Sequence, residues 1–247
     1  MSLSTHSTSK PNIFWFRRDL RLTDNPALLA AIENCEEIIA LFILDEKLIK
    51  QSGSKRLAYL GQSLRALDES LKNNLHVMVG DQVEVLQELI SRYGAAEVHI
   101  SQEYEPYGSA RDARVEASGI KLVRTGSPYA VAPGRVLKPS DATPYRVYTP
   151  FYRAWCVHGW RKPVGAPKDL KLVTPSQSDR NFVDWKVPEG TQITKAGEAA
   201  ALARWKEFKS GALANYDTER NNAGVDGTSK LSAHLKWGEI HPRTLLA

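Results

Sequence analysis

The feature that most constrains this fold is an alternation of short apolar runs with segments of helical periodicity across residues 12–130. The runs from Asn12 to Phe16 and from Ile38 to Leu44 are apolar at successive positions, which is typical of strands buried on both faces of a parallel sheet. Further strands are predicted at residues 77–79, 97–101 and 120–123, and helices are predicted from Pro26, Ser54, Gln82 and Ser109. Strands that alternate with helices form βαβ units, so the sequence predicts a doubly wound α/β domain with a five-stranded parallel sheet.

Charged residues crowd the end of the first predicted strand. Arg18, Asp19, Arg21 and Asp24 follow it within a few positions. They could pair to brace the strand-to-helix turn or take part directly in catalysis, and we favour the bracing role. Ligands of open parallel sheets bind beyond the carboxyl ends of the strands, so this end of the sheet is the place to look for a site.

The character of the sequence changes after residue 130. Prolines recur over residues 131–194 with little periodicity, apart from one predicted helix from Pro150 to about Trp160. A connection of this length fits an inter-domain linker that packs on both sides. Helical periodicity returns over residues 195–247, whereas the polar residues 1–11 are expected to form a disordered tail.

Composition narrows the class of protein. The longest apolar run has seven residues, too few to cross a bilayer, and Cys35 and Cys156 have no metal-type spacing. We therefore expect a soluble, monomeric, cytoplasmic protein with two unpaired thiols and no metal site.

The net charge of +5 is unevenly distributed along the chain. Residues 1–133 carry 15 basic and 17 acidic side chains, and residues 134–247 carry 18 basic and 11 acidic side chains. The basic second half suits a polyanion such as DNA, with a solvated surface as the alternative.

A hydroxyl-rich segment near residue 228 is the strongest site candidate. Gly227 allows a sharp turn, and Thr228 and Ser229 are predicted to open a helix whose first N–H groups lack partners. Ser229 and Ser232 are three residues apart, so their hydroxyls share a face. Such a helix entrance can hold a diphosphate, and a simple N-cap is the compatible alternative.

Two stretches carry a resemblance to a known family. Residues 14–25 resemble the first-strand signature of the photolyase/cryptochrome family, and residues 148–155 resemble its TPFxxxW segment. Residues 225–232, together with Tyr216, are similar to its flavin-phosphate segment. The resemblance covers residues 12–247 and is greatest to class I cyclobutane pyrimidine dimer photolyases.

The resemblance implies an organisation and a set of site residues. It implies a Rossmann-like antenna domain over residues 12–130, a linker over 131–194 and the first helices of an all-α FAD-binding domain over 195–247. The FAD-binding residues that it implies are Tyr216, Thr228, Ser229, Lys230, Leu231 and Ser232. It implies a DNA-phosphate contact for Arg220. Lys230 stands where many members carry Arg, which keeps the charge but loses the planar fork.

The identity of a second, antenna chromophore stays open. Family members that use a folate carry an Asn-Glu pair where this chain has Tyr107 and Gly108. A deazaflavin, a flavin, a folate or no antenna remains possible, and Tyr107 and Arg111 are the candidate contacts. Plain packing is the alternative for Tyr107.

The activity that the resemblance implies is light-driven, FAD-dependent repair of pyrimidine dimers in damaged DNA. In the family, the flavin-ring pocket, the dimer cavity and the tryptophan chain come after the residues matched here. We therefore expect no catalytic residue in this chain and expect an N-terminal fragment that is inactive alone, with a C-terminal portion missing or supplied by a partner. A cryptochrome-type photoreceptor and a stand-alone chromophore- or nucleotide-binding module are the alternatives.

Overall fold

The computed structural model describes residues 10–33 and 35–247. Its centre is a sheet of five strands in the order β3-β2-β1-β4-β5, and every neighbouring pair is parallel. The strands are β1 (Asn12–Phe16), β2 (Ile38–Leu44), β3 (Leu75–Val79), β4 (Val98–Ile100) and β5 (Leu122–Arg124). This arrangement confirms the predicted α/β fold. The predicted tail falls on residues 1–11, of which residues 1–9 lie outside the described residues.

The sheet is covered by helices on both faces. The helices of this part are α1 (Pro26–Ile32), α2 (Glu46–Lys50), α3 (Ser54–Ser70), α4 (Gln82–Tyr93) and α5 (Pro106–Ala117). Because successive strand residues point to opposite faces, Phe14 and Phe16 pack with α1 and α3, whereas Ile13 and Trp15 pack with α4 and α5. Strands β1 and β2 are buried at every position, as their continuous apolar runs predict.

Local signals place several helix ends correctly. Asn25 caps α1 through its side chain, and Pro26 occupies the first helical position. Gly94 ends α4 in the left-handed conformation at φ 67°. Helix α5 begins at Pro106, one turn before the predicted Ser109, because proline at the first helical position costs no hydrogen bond. The short helix α2 was not predicted, although Asp45 caps it.

The proline-rich stretch runs along the α/β layer. Its backbone adds bridges to the sheet at Leu172 and Arg180, and Arg180 pairs with Asp68 at 2.7 Å. Its α-helix is α6 (Tyr148–His158), close to the predicted Pro150 to Trp160, and a 3-10 turn follows at Gln177–Asp179. These contacts agree with a linker packed against the domain, and the boundaries at residues 130 and 194 stay predictions.

Four short or medium helices form the last part of the chain. They are α7 (Glu198–Ser210), α8 (Tyr216–Glu219), α9 (Ser232–Trp237) and α10 (Pro242–Leu245), with a 3-10 turn at Ala212–Asn215. Gly238 follows α9 at φ 67°, and a Cβ there would overlap the Arg18 carbonyl oxygen. The close approach of two backbones therefore requires glycine at this position.

A buried carboxylate, Asp24, connects the three parts of the chain. Its oxygens lie 2.7 Å from Arg161 of the linker and 3.1 Å and 3.2 Å from Arg243 and His241 at the start of α10. Its backbone N–H donates to the Val164 carbonyl at 2.8 Å. Burial alone would raise the pKa of Asp24, but the hydrogen bond from Arg161 and the charge of Arg243 hold it below its usual range.

A second buried carboxylate, Glu239, fastens the helical part to α3. Tyr59 and Ser63 of α3 donate to its two oxygens at 2.6 Å, and the Gly197 N–H donates at 2.7 Å. His234 Nδ1 lies 2.6 Å from the same carboxylate. Each oxygen therefore has at least two partners, which offsets the cost of burying the group.

Asp24→Asn should lower the free energy of unfolding by about 3 kcal/mol, because one member of a buried charge cluster is removed while Arg161 and Arg243 remain. Asparagine is chosen because Asp24 has φ 49°, a conformation that asparagine tolerates. Urea unfolding at pH 7 measures the change. The matched control Asp217→Asn, at a side chain that is 96% exposed, should shift stability by less than about 0.5 kcal/mol. Equal small shifts for both variants would contradict a structural role for Asp24.

Candidate functional site

Two adjoining cavities lie at the carboxyl ends of the strands. Their volumes are about 540 Å³ and 250 Å³, and both are lined by Asp45, Gln82, Tyr107 and Arg111. The combined size falls within the range of small-molecule sites, and the position is where ligands of parallel sheets bind. We refer to the two cavities together as the edge cleft.

The ring of Trp15 lies at the floor of the edge cleft, where two arginine side chains contact it. The guanidinium carbons of Arg17 and Arg111 lie 5.3 Å and 4.9 Å from its centroid. Both arginines are neutralised by Asp112, at 2.7 Å and 2.8 Å, and by Glu103. Burial lowers the pKa of Arg17, and the neighbouring Arg111 lowers it further. These interactions fix the ring, which is buried and therefore supports the floor of the cleft from below.

Tyr107 forms the wall shared by the two cavities. Its hydroxyl donates to Asp45, and the Lys47 ammonium lies 5.8 Å from its ring. Burial, followed by the hydrogen bond to Asp45, raises the pKa of Tyr107 to about 12. At neutral pH the phenol is therefore protonated, and its ring remains 38% exposed toward the cleft.

The rim of the edge cleft is a network of polar side chains. Gln82 donates to Asp45 at 2.8 Å, and Arg114 lies 2.6 Å from Asp81 and 2.5 Å from the Gln82 oxygen. The cleft thus combines an aromatic floor with oriented donors and acceptors, which suits a planar heterocycle. Within residues 10–33 and 35–247, no cluster of histidine, cysteine or acidic side chains could hold a metal.

Two residues predicted as antenna contacts lie in the edge cleft, and their role stays a prediction. Tyr107 and Arg111 were predicted and lie in the cleft, whereas Asp45 and Gln82 were missed. The missed residues follow β2 and β3, so the rule that ligands bind beyond strand ends would have found them. The predicted pairing among charges after β1 is partly right: Arg21 donates to the Asp24 carbonyl, but the Asp24 carboxylate binds residues far along the chain.

The second candidate site is the hydroxyl-rich segment over residues 226–232. The helix that was predicted to open at Thr228 begins instead at Ser232, with Leu231 as its N-cap. Lys230 has φ 53°, a left-handed conformation that interrupts a helix. Thr228 and Ser229 therefore lie in the loop before α9 and present their groups from there.

Contacts with α7 and α8 hold this loop in place. Arg204 donates to the Thr228 and Ser229 carbonyls at 2.8 Å and 2.9 Å, and a Cβ on Gly227 would lie 2.8 Å from Glu219. The loop is thus packed against α8, the helix that Tyr216 begins. Arg204 thus occupies these two carbonyls, and the Ser229 hydroxyl accepts from the Leu231 N–H at 3.5 Å.

Most side chains of the predicted phosphate site are open to solvent. Tyr216 is 40% exposed, and Thr228, Lys230 and Ser232 are exposed as well. Lys230 pairs with Asp226 at 2.7 Å, and this partner lowers the pKa of Asp226. Leu231 is buried, so it can contribute to a surface site only through its backbone. Arg220 is exposed, and its guanidinium carbon lies 5.8 Å from the centroid of the Tyr216 ring. Among the described residues its ion-pair partner is Asp217, at a nitrogen-to-oxygen distance of 4.0 Å.

Four of the described histidines are buried. His76 and His99 lie in strands of the sheet. His234 and His241 bind the two buried carboxylates, which their positions in the sequence did not indicate. Burial, followed by the charge of Arg21, lowers the pKa of His241 to about 3, so its ring is neutral in the folded protein at pH 7.

The sequence model of the DNA photolyase family matches residues 12–168. The chain belongs to this family. It is 34% identical over 254 residues to the deoxyribodipyrimidine photo-lyase of Synechococcus sp. (PCC 6301), covering 93% of this chain and 51% of that protein. It is 34% identical to an uncharacterised 31.6 kDa protein of Synechococcus sp. (PCC 6716), covering 96% of this chain and 88% of that protein.

A solved photolyase has the same architecture. The class III photolyase from Agrobacterium tumefaciens superposes with a TM-score of 0.85 at 32% identity, over 99% of this chain and 54% of that one. The chain therefore spans about half the length of the photolyases it matches. The match supports the predicted family, and the class I assignment stays a prediction. Among the described residues, no helix combines the length and apolar character needed to span a membrane.

Asp45→Asn should lower the pKa of Tyr107 from about 12 toward the ordinary tyrosine value, because the phenolate would no longer face a carboxylate. Titration of the Tyr107 ring carbon by NMR on tyrosine-labelled protein measures this value, and Tyr107→Phe assigns the signal. The control Asp217→Asn should leave the titration unchanged. An unchanged pKa in Asp45→Asn would show that the hydrogen bond does not control the phenol.

Proposed function

We propose that this chain is the N-terminal half of a deoxyribodipyrimidine photolyase, which carries the antenna domain and the phosphate-binding segment of the FAD site. The observation that carries the proposal is the position of α9. This helix begins at Ser232 in the hydroxyl-rich loop, and its last residues, Lys236 and Trp237, line the edge cleft. A six-residue helix is about 9 Å long, so the two candidate sites are close enough for excitation to pass between bound chromophores.

The residues near 228 fit the phosphates of FAD. Thr228, Ser229 and Ser232 offer hydroxyl donors, and Lys230 offers a cation whose only described partner is the exposed Asp226. A phosphate could displace that carboxylate without leaving a buried charge, because both side chains are more than half exposed. Tyr216 can pack against the neighbouring ribityl chain, and the Leu231 backbone can donate.

Bound FAD would supply light-driven electron transfer to a pyrimidine dimer. The role of this chain's own residues is to hold and orient: the hydroxyls and Lys230 fix the phosphates, and Arg204 keeps the loop in shape through the Thr228 and Ser229 carbonyls. The proposed catalysis therefore needs the half of the fold that the relatives carry and this chain does not match.

We infer that the edge cleft holds the antenna chromophore. Tyr107 is 38% exposed and offers a ring for stacking, and Tyr107 and Arg111 line both cavities. The cleft suits a planar heterocycle such as a flavin or deazaflavin. The Tyr107-Gly108 pair stands where folate-using members carry Asn-Glu, so a folate is the less favoured ligand.

Damaged DNA is the proposed macromolecular partner. Arg220 lies next to the phosphate-binding loop, and its guanidinium is only weakly paired, so it is free to contact a DNA phosphate. The basic excess of the second half of the chain would add sequence-independent affinity. The free thiols Cys35 and Cys156 suit the cytoplasm, where such a protein would act.

A chromophore-binding module without repair activity is the second candidate function. It is favoured by one observation: the edge cleft has walls formed by Tyr107, Gln82 and Arg111, whereas the loop near residue 228 is largely exposed. Such a module would bind its antenna ligand but would not retain FAD.

Tyr107→Ala should weaken chromophore binding at least tenfold, because the wall shared by the two cavities is lost. Fluorescence titration of the purified chain with FMN, a deazaflavin and a methenyl-folate, each in parallel, measures the affinity and ranks the ligands. Tyr148→Ala, at an exposed tyrosine of the linker helix, is the matched control and should bind like the parent chain. Equal binding by all three proteins would place the chromophore elsewhere.

The chain alone should retain much less than one equivalent of FAD and should not repair dimers in light. A fusion to the remaining half of the Agrobacterium photolyase should retain FAD and repair a dimer-containing oligonucleotide only when illuminated. In the fusion, the double variant Thr228→Val/Ser232→Ala should lower FAD content at least fivefold, and Ser70→Ala should leave it unchanged.

Visible absorption after gel filtration measures bound FAD, and chromatography of the oligonucleotide measures repair. One equivalent of FAD on the chain alone would contradict the expectation that firm FAD binding needs further protein. FAD binding by the fusion without lit repair would favour the photoreceptor alternative over the photolyase.

A further inference from the structure

A third cavity lies between the end of α3 and the start of α7, and it shares no lining residue with the edge cleft. Its volume is about 570 Å³. Ala66, Ser70, Gly197 and Ala200 line it, together with His234 of α9. Because these side chains on α3 and α7 are small, the backbone at the start of α7 is open to the cavity. We refer to this space as the α7 cavity.

The first turn of α7 has no side-chain cap. Its N-cap is Gly197, and the first helical hydrogen bond runs from the Ala201 N–H to the Gly197 carbonyl at 3.0 Å. The preceding N–H groups, those of Glu198, Ala199 and Ala200, have no partner among the described residues. Unpaired N–H groups at the positive end of a thirteen-residue helix favour an anion.

A buried imidazole reaches the same cavity. His234 has no solvent exposure, and its Nε2 has no hydrogen-bond partner within residues 10–33 and 35–247. Its Nδ1 lies 2.6 Å from Glu239, so Nε2 is on the side of the ring that turns away from this carboxylate. Buried polar atoms without a partner are uncommon in folded proteins, and they indicate a water or a ligand in contact with them.

The hydrogen bonds around Nδ1 assign the tautomer of His234. The Tyr59 hydroxyl donates its one proton to Glu239 at 2.6 Å, so it cannot also donate to Nδ1, which is 3.0 Å away. The Glu239 carboxylate can only accept, so Nδ1 carries the ring proton. In the neutral ring Nε2 is therefore an acceptor, and a ligand that meets it must bring an O–H or N–H group.

We propose that the α7 cavity binds inorganic phosphate, whose charged oxygens accept from the Ala199 and Ala200 N–H groups and whose P–OH group donates to His234 Nε2. At neutral pH inorganic phosphate carries both negative oxygens and at least one hydroxyl, and the two sides of the site require this combination. Sulfate has the same shape but no hydroxyl. A phosphate monoester has a second pKa of about 6, so at pH 7 most of it has lost its O–H group.

Two exposed side chains at the rim determine how strongly an anion is attracted. Lys195 has no carboxylate partner within the part of the chain that the structure describes, so its ammonium can pair with phosphate. Glu69 of α3 also lines the cavity and opposes an anion. Glu198 is already engaged, because its carboxylate accepts from the Leu22 and Thr23 N–H groups at 2.8 Å and 2.9 Å.

The remaining charges of the cavity neutralise each other. Arg204 and Glu207 form an ion pair at 3.0 Å. A phosphate at the helix start would bridge the backbone of α7 and the ring of α9, so it would stabilise the helical part by mass action. This inference rests on neither FAD binding nor the antenna ligand, so each can fail without the other.

The test compares phosphate with sulfate on the purified chain at pH 7 and equal ionic strength. Calorimetric titration should give a dissociation constant for phosphate about tenfold below that for sulfate, since one hydrogen bond distinguishes them. Ribose 5-phosphate, a monoester, should bind more weakly than inorganic phosphate. Thermal unfolding should shift upward more in phosphate than in sulfate. Both anions stabilise proteins by exclusion from the surface, so the difference between them is the measurement.

The nitrogen-15 resonance of His234 Nε2 reports the contact directly in histidine-labelled protein. It should move on addition of phosphate and stay in place on addition of sulfate. His234→Gln assigns the resonance and should bind the two anions equally. Should this buried substitution prevent folding, the resonance is assigned in the parent chain through its coupling to the ring protons.

Substitutions at the exposed rim test the charges without disturbing the core. Lys195→Ala should weaken phosphate binding about threefold, and Glu69→Gln should strengthen it about threefold, as expected of exposed charges. Lys206→Ala is the matched control, since Lys206 is an exposed lysine of α7 that does not line the cavity, and it should bind like the parent chain. Circular dichroism of each variant verifies that it is folded.

Several results would overturn the proposal. Equal affinity for phosphate and sulfate would show that the hydroxyl contributes nothing, and tighter binding of the monoester would contradict the same requirement. No binding at millimolar phosphate would leave the cavity to water alone. An unmoved Nε2 resonance, or an equal loss of affinity in Lys206→Ala and Lys195→Ala, would place the anion elsewhere on the protein.

Discussion

The buried carboxylate of Asp24 is the interaction on which the arrangement of this molecule depends. It sits in the turn after β1, has no solvent exposure and binds Arg161 of the linker together with His241 and Arg243 of the helical part. A carboxylate buried without cations would be protonated or would unfold its surroundings. Each of the three parts must therefore be in place for the charge to be satisfied, which couples segments more than 200 residues apart in sequence.

That coupling also positions the candidate sites. Glu239, which follows α9, is held by α3, and α10 is held by Asp24, so the chain on the C-terminal side of α9 is anchored twice to the α/β part. The backbone contact at Gly238 and the Leu20 N–H bond to the Trp237 carbonyl, at 3.1 Å, bring the end of α9 against the exit of β1. One side of the edge cleft is thus formed by the helical part. A ligand in the cleft would contact both parts and would stabilise their docking by mass action.

The sequence predicted the elements whose signals are local. Continuous apolar runs mark β1 and β2. A capping aspartate and a left-handed glycine mark the two ends of α4. Each of these signals acts within a few residues, so the three elements lie where they were predicted. The start of α9 was predicted too early, because Gly227, Thr228 and Ser229 form a typical helix N-terminal signal. The contacts of this segment with Arg204 and Glu219, which lie in other helices and are not evident from the local sequence, keep it in a loop. The roles of Asp24, Glu239 and His241 were not predictable, since their partners come from distant segments and no periodicity connects them. Tyr107 was predictable from the family pattern, and Asp45 only from the sheet topology.

The two candidate sites differ in how much of their environment this chain supplies. In the edge cleft, Trp15 is fixed by Arg17 and Arg111, and these cations are themselves neutralised, so the surface is organised before any ligand arrives. Near residue 228, the hydroxyls and Lys230 face water, where each hydrogen bond to a phosphate replaces one to solvent and the net gain is small. Charge-assisted bonds strengthen when water is excluded, so the same groups would hold a dinucleotide firmly only beneath a protein cover. The edge cleft is therefore organised by contacts among the described residues, whereas the loop near residue 228 is largely open to solvent.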